Sequence, residues 1–96
     1  MAHPLDVLGS PVRREILLAL RERPLAVGEL ATRFPVSRPA ISRHLRVLEE
    51  AGLVEHHSGV GRGAYTVRLQ GFASVREFLD EFWDTALSRL QELARE

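Results

Sequence analysis

The segment best suited to chemistry is residues 37–48, which carries arginines and serines at a helical spacing and no carboxylate. Guanidinium groups donate paired hydrogen bonds to phosphate or to the major-groove edge of guanine, and serine hydroxyls bond to either. On a helix, Ile41, Leu45 and Leu48 share one side at i, i+4 and i+7, and the polar residues face away. The pattern predicts a helix that presents these side chains to DNA: Ser37, Arg38, Pro39, Ser42, Arg43 and Arg46.

These side chains are not expected to act alike, because most protein contacts with DNA reach phosphates rather than bases. Ser42 and Arg43 are predicted to face the bases, and Arg38 and Arg46 to lie nearer the phosphate backbone. The alternative interpretation is an ordinary solvated helix face. His44, at the flank of the apolar stripe, is predicted to hold the helix through a hydrogen bond rather than to read a base.

This segment is predicted to be the second of two helices, and the first helix holds it in position. Ser37 is a good N-cap, Pro39 is tolerated in the first turn, and Gly52 can end the helix in the left-handed conformation. A preceding short helix is predicted from about residue 26 to residue 34. The two helices, joined by a short turn at residues 35–36, form a helix-turn-helix.

The flanking segments complete the predicted domain. Upstream, Ser10 and Pro11 start a helix with an apolar stripe, and Pro24 ends it. Downstream, residues 53–57 and 64–69 are strand-like and are separated by a segment with three glycines, which is typical of a hairpin. A hairpin directly after the arginine helix makes a winged helix-turn-helix, with Arg62 at the tip of the wing and in reach of DNA.

The longest helix is predicted over residues 74–96, beginning with a capping box formed by Ser74 and Glu77. Its apolar residues cover about half of the circumference, more than the stripe of about 100° that a surface helix needs. We therefore expect two neighbours for this helix, the core of its own subunit and a second subunit. The large side chains predicted to face the second subunit are Phe78, Phe82, Trp83, Leu87 and Leu90.

Composition narrows the class of protein. The 96 residues have no net charge, but residues 1–70 hold ten arginines against seven acidic residues, and the rest hold three against six. Because there is no cysteine, disulfides and thiolate metal sites are excluded. There is no apolar run long enough to span a membrane and no signal-peptide pattern, so we expect a cytoplasmic protein. No nucleophile motif or phosphate loop indicates an enzyme.

Several segments together resemble the ArsR-type transcriptional regulators. They are LGSPVRREIL at 8–17, VGELA at 27–31, SRHLRVL at 42–48, AGLV at 51–54 and the glycine-arginine wing that ends at Tyr65. The resemblance covers nearly the whole chain. It implies an α+β, mostly helical fold, in which residues 10–70 form a winged helix-turn-helix core within a single domain. It also implies a homodimeric repressor that binds an inverted repeat, with residues 1–9 and 71–96 forming the dimer interface, including Leu5 and Leu8.

The chain departs from the metal-sensing members that it resembles. Those members carry a Cys-x-Cys pair where this chain has Ala26 and Gly28, or place histidine and carboxylate ligands on the last helix, where residues 71–96 contain no histidine. His56 and His57 are neighbours on a strand and should point to opposite faces. We therefore expect no metal site and no cofactor.

Two other functions stay open from the sequence. One is a winged-helix module that binds proteins instead of DNA. The other is a regulator that senses a small apolar molecule near Phe78, Phe82 and Trp83, although the nature of any effector is unknown.

Overall fold

The computed structural model describes residues 3–59 and 63–95. Five α-helices and one antiparallel hairpin follow in the order α1 (Pro4–Val7), α2 (Pro11–Glu22), α3 (Val27–Ala31), α4 (Arg38–Glu50), β1 (Val54–His57), β2 (Ala64–Val67) and α5 (Ala73–Ala94). A single 3₁₀ turn, Leu69–Phe72, leads directly into α5. This is the predicted mostly helical α+β fold, with a two-stranded wing and a long C-terminal helix.

The predicted helix starts are confirmed where a serine precedes a proline-containing first turn. The Ser10 hydroxyl accepts the Arg13 N–H at 3.3 Å at the start of α2, and the Ser37 hydroxyl accepts the Ala40 N–H at 3.2 Å at the start of α4. Each hydroxyl satisfies a backbone donor that the helix itself leaves unpaired. At the other end of α4, Gly52 has φ +78°, the left-handed conformation predicted for it.

The core is built from α1 to α4 and β1. It contains eleven buried hydrophobic residues among those described, and the three predicted for the inner face of α4, Ile41, Leu45 and Leu48, are completely buried. α5 contributes none of the eleven. The molecule is consequently elongated, with extents of 61 × 27 × 26 Å.

Two predicted helix boundaries are wrong. α3 ends at Ala31 rather than near residue 34, because Pro35 disfavours helical geometry at Phe34 and the chain turns beforehand. The capping box at Ser74 does not form, because Ala73 is already helical (φ −56°, ψ −43°) and the 3₁₀ turn continues into α5 with Phe72 at the N-cap position. Helix α1 was not predicted; the His3 ring accepts the Leu5 N–H at 3.1 Å and caps it.

The wing pairs in a single register, with Val54 opposite Val67 and His56 opposite Tyr65. Its base is also bonded to the helical core, since Leu25 and Tyr65 form an isolated antiparallel bridge. This bridge connects the segment between α2 and α3 to the hairpin. The wing is thereby fixed relative to the helix-turn-helix.

Candidate nucleic-acid interface

Helix α4 separates its residues into a buried side and an exposed side. Among the predicted DNA-facing residues, Ser37, Arg38, Pro39, Arg43 and Arg46 are exposed, whereas Ser42 is half-buried. Each of the exposed arginines is anchored on a rigid helix whose opposite face lies in the core. Within residues 3–59 and 63–95, these three guanidinium groups make no hydrogen bond or ion pair, so they are able to meet an external anion. Arg62, predicted at the wing tip, lies outside the described residues.

Arg38 lies above α3 as well as at the start of α4. A Cβ added to Gly28 would lie 3.8 Å from an Arg38 guanidinium nitrogen, so the small residue leaves space for this side chain. The Arg38 guanidinium thus lies close to α3, the first helix of the helix-turn-helix. This position, at the N-terminal end of α4, is consistent with the expected phosphate contact.

An open cleft of about 840 Å³ separates α3 from the hairpin. Arg23, Arg33 and Arg38 line it together with His56 and Tyr65. No sequence pattern predicts Arg23 or Arg33 at the interface. Their position continues the basic surface from α4 towards the wing, and only the tertiary arrangement reveals it.

Tyr65 lies where β2 meets the helical core. The His56 ring stacks on it with ring centroids 4.5 Å apart. Burial, together with the nearby Glu49 carboxylate, raises the pKa of Tyr65 above its ordinary value, and the Arg46 guanidinium opposes this rise. The phenol therefore stays protonated, and Arg46 on the exposed side of α4 lies near the wing.

His44 lies on α4, close enough to α2 for the charge of Arg13 to act on its ring. Burial lowers its pKa below the ordinary value of 6.5, and the positive charges of Arg13 and Arg43 lower it further. Its ring is half-buried, and within residues 3–59 and 63–95 it makes no hydrogen bond. No described residue therefore forms the predicted hydrogen bond with His44.

The apolar face of α5 is uncovered. Phe78, Phe82, Trp83 and Leu90 are between 51% and 63% exposed, and Leu87 is 38% exposed. Leu5 of α1 is also exposed (37%), whereas Leu8 packs against the core. The expectation that α5 also packs along its own core is wrong beyond its first turn, where Phe72 and Val75 are half-buried.

Known proteins match both the sequence and the fold of this chain. The profile described as "Bacterial regulatory protein, arsR family" matches residues 10–56. The HTH-type transcriptional regulator Rv2034 of Mycobacterium tuberculosis is 45% identical over 88 residues, which is 92% of this chain and 82% of that protein. The chain belongs to the ArsR family. It is thus a DNA-binding transcriptional regulator and not an enzyme.

Further relatives agree with this assignment. A solved structure described as a possible transcriptional regulator for arsenical resistance is 40% identical, with a TM-score of 0.80 over 96% of both chains. The transcriptional repressor SdpR of Bacillus subtilis is 33% identical over 57 residues, 59% of this chain and 63% of SdpR. The solved transcriptional repressor BigR of Xylella fastidiosa is 28% identical, with a TM-score of 0.65 over 84% of this chain and 81% of BigR.

The two wing histidines of this ArsR-family chain, His56 and His57, are arranged as the strand pattern predicts, on opposite faces of the wing. His56 stacks on Tyr65, whereas the His57 ring lies 2.7 Å from the Thr66 hydroxyl and 3.8 Å from a Glu55 carboxylate oxygen. In the described part of the chain, no three histidine or acidic side chains lie close enough together to hold a metal ion. No helix in the same part is long and apolar enough to cross a membrane.

Proposed function

We propose that this ArsR-family regulator is a homodimeric repressor. It acts in the cytoplasm and binds an inverted repeat in DNA through residues 37–48 of each copy. The observation that carries the proposal is the division of the molecule into two exposed surfaces, a basic one on α4 and an apolar one on α5. The relatives SdpR and BigR, both named as transcriptional repressors, support repression over activation.

The DNA contacts follow from the exposed side of α4. Arg43 and Ser42 read base edges in the major groove, and Arg38 and Arg46 bind the phosphates on either side. Ser37 and Pro39 lie at the N-terminal end of α4, where the helix enters the groove. Arg62 contributes from the wing. The three cleft arginines extend the phosphate contacts beyond the recognition helix itself.

The second copy is the best occupant for the apolar face. A folded monomer of 10.8 kDa is expected to expose about 5,500 Å². This chain exposes 6982 Å². The excess is larger than the roughly 800 Å² per partner that a standard interface buries. Phe78, Phe82, Trp83, Leu87 and Leu90 supply the large side chains that such an interface needs. Leu5 lies on the neighbouring α1, and Leu8 directly follows that helix.

A homodimer also fits the geometry of operator DNA. Two symmetric copies place their recognition helices in successive major grooves, about 34 Å apart, on one face of the duplex. Because each copy adds its own phosphate contacts, the affinity should fall steeply with salt although the chain has no net charge.

The proposed repressor does not respond to metal. Ala26 and Gly28 stand at the positions of the thiolate pair of metal-sensing members, and α5 carries no histidine. Operator affinity measured with zinc and with a chelator should agree within twofold. A tighter or weaker complex in zinc would contradict this part of the proposal.

A small apolar effector has less support. The groove on α5 that Phe78 and Phe82 line holds about 480 Å³ and is formed by this one helix, and Trp83 does not line it. A ligand site usually encloses most of its ligand. An open depression on one helix suits a second protein chain better.

The decisive experiment combines selection of DNA from a random pool with sedimentation equilibrium. The wild-type chain should be a dimer and should select a palindrome at nanomolar concentration. Leu90→Glu should yield monomers and lose at least tenfold in DNA affinity, because it introduces a charge into the apolar face. Ser88→Glu, which adds the same charge on the polar face of α5, should change neither property.

Two results would overturn the proposal. A wild-type chain that is monomeric, or a Leu90→Glu variant that remains dimeric and binds normally, contradicts the assigned interface. A dimer that selects no duplex supports the alternative of a protein-binding winged-helix module.

A further inference from the structure

Gly71, two residues before α5, lies against the backbone of Gly52 with no space for a side chain. A Cβ on Gly71 would overlap the Gly52 carbonyl oxygen and would lie 2.6 Å from its carbonyl carbon and 3.3 Å from Leu53 Cα. Gly71 itself does not have a positive φ; among the described glycines only Gly52 and Gly63 do. Gly71 is therefore required for space rather than for conformation.

This contact joins the two functional helices. Gly52 directly follows the C-terminal end of α4, and Gly71 lies two residues before α5, in the 3₁₀ turn that continues into it without a loop. The Arg68 guanidinium donates to the Gly52 carbonyl at 3.2 Å, and the Arg68 N–H donates to the Leu53 carbonyl at 2.8 Å. The ends of the recognition helix and the dimerisation helix are thus held together by backbone contact and two hydrogen bonds.

We infer that the Gly52–Gly71 junction sets the angle between α4 and α5 and so determines which half-site spacing the dimer accepts. The inference rests on the homodimer proposed above. If α5 binds the second copy, the direction of α4 relative to α5 fixes the separation of the two recognition helices. Gly71 is then a positioning residue for DNA recognition, although it touches no DNA.

The length of α4 and the distance between base pairs support this role. Helix α4 has 13 residues. A helix of that length spans about 20 Å, so a tilt of about 10° at its junction end moves its DNA-reading end by about 3.5 Å. One base-pair step along DNA is about 3.4 Å. Because symmetry applies the tilt in both copies, a small change at Gly71 shifts the preferred spacing by a base pair or more.

Relieving the overlap requires the backbones at the junction to separate. Carbon atoms in contact lie about 3.5–4.0 Å apart, so a methyl group at position 71 must move the two backbones apart by about 1 Å. The obstacle is backbone rather than a flexible side chain. Gly71→Ala therefore has to open the junction, which changes the angle between the helices.

The test is a set of duplexes that carry the selected half-sites with their separation changed in steps of one base pair. Wild type should show one preferred spacing. Gly71→Ala should remain dimeric by sedimentation, lose at least tenfold in affinity at that spacing and prefer another. Gln70→Ala is the matched control, because Gln70 is the exposed neighbour of Gly71 in the same 3₁₀ turn, and it should keep the wild-type preference.

Arg68→Ala provides a second variant if Gly71→Ala does not fold. It removes the guanidinium from Gly52 but leaves the glycine contact, so the junction should loosen. The ratio of affinities between the preferred spacing and its neighbours should then fall at least threefold. A lost phosphate contact would instead weaken all spacings equally and leave that ratio unchanged.

The outcomes separate this inference from the function on which it depends. A monomeric wild-type chain overturns the proposed homodimer. A folded, dimeric Gly71→Ala variant with the wild-type spacing preference overturns the junction's role while leaving the homodimer intact. If Gly71→Ala is unfolded, an unchanged affinity ratio in Arg68→Ala overturns it.

Discussion

Leu25 and Tyr65 exchange two backbone hydrogen bonds, of 2.8 Å from the Tyr65 N–H and 3.2 Å from the Leu25 N–H. The Leu25 side chain is completely buried in the core. Leu25 therefore binds the wing through its backbone and packs against the helices through its side chain. The wing and the recognition helix are positioned by the same core.

Leu25→Ala should lower the free energy of unfolding by about 2–5 kcal/mol, because it leaves a cavity where α2, α3 and the wing meet. Urea denaturation measures this loss. Leu69→Ala is the control, because Leu69 is 78% exposed and its truncation should change stability by less than about 0.5 kcal/mol. Equal losses in the two variants would show that Leu25 is not part of the core.

The two serine caps allow stability to be separated from DNA binding. Ser37→Ala and Ser10→Ala each remove one cap and should each cost about 1 kcal/mol of unfolding free energy. Ser10 caps α2, which carries none of the proposed DNA contacts, so only Ser37→Ala should also weaken operator binding. Thermal melting and gel shifts on both variants check this. An equal loss of affinity in both would assign the effect to stability alone.

The elements that the sequence predicts well depend on local signals. Ser37 with Pro39 starts α4 and Gly52 ends it, because a cap and a left-handed residue act within one turn of the chain. The buried stripe of Ile41, Leu45 and Leu48 is equally local, since helical period alone puts these residues on one side.

The features that the sequence did not predict depend on contacts between distant segments. The bridge from Leu25 to Tyr65 and the approach of Gly71 to Gly52 each join residues far apart in the chain. The capping box at Ser74 failed for a local reason, because a competing helical turn already begins at Leu69. Tertiary packing determines the two long-range contacts, and the spacing of residues along the chain does not predict them.

His44 should make stability depend on pH. Its pKa in the folded chain is lowered below the unfolded value of 6.5, so the unfolded state binds more protons as the pH falls through 6.5. Stability should therefore be lost on acidification from pH 7.5 to 5.5. His44→Gln removes this group and should reduce the loss, measured by urea denaturation at both pH values. An identical loss in wild type and variant would remove His44 as its source.

Arg43→Ala and Arg46→Ala should weaken DNA binding in different ways. Arg43→Ala, if it removes a base contact, should cost about 1–3 kcal/mol on the selected operator and relax the sequence preference at one position of each half-site. Arg46→Ala, if it removes a phosphate contact, should weaken all duplexes alike and reduce the salt slope by about 1 per contact. Both arginines are exposed, so neither change should affect folding. Titrations against the operator and a scrambled duplex at several salt concentrations distinguish the two roles. A uniform loss for Arg43→Ala would place that side chain on the backbone, and the half-buried Ser42 would then remain the residue to test for base recognition.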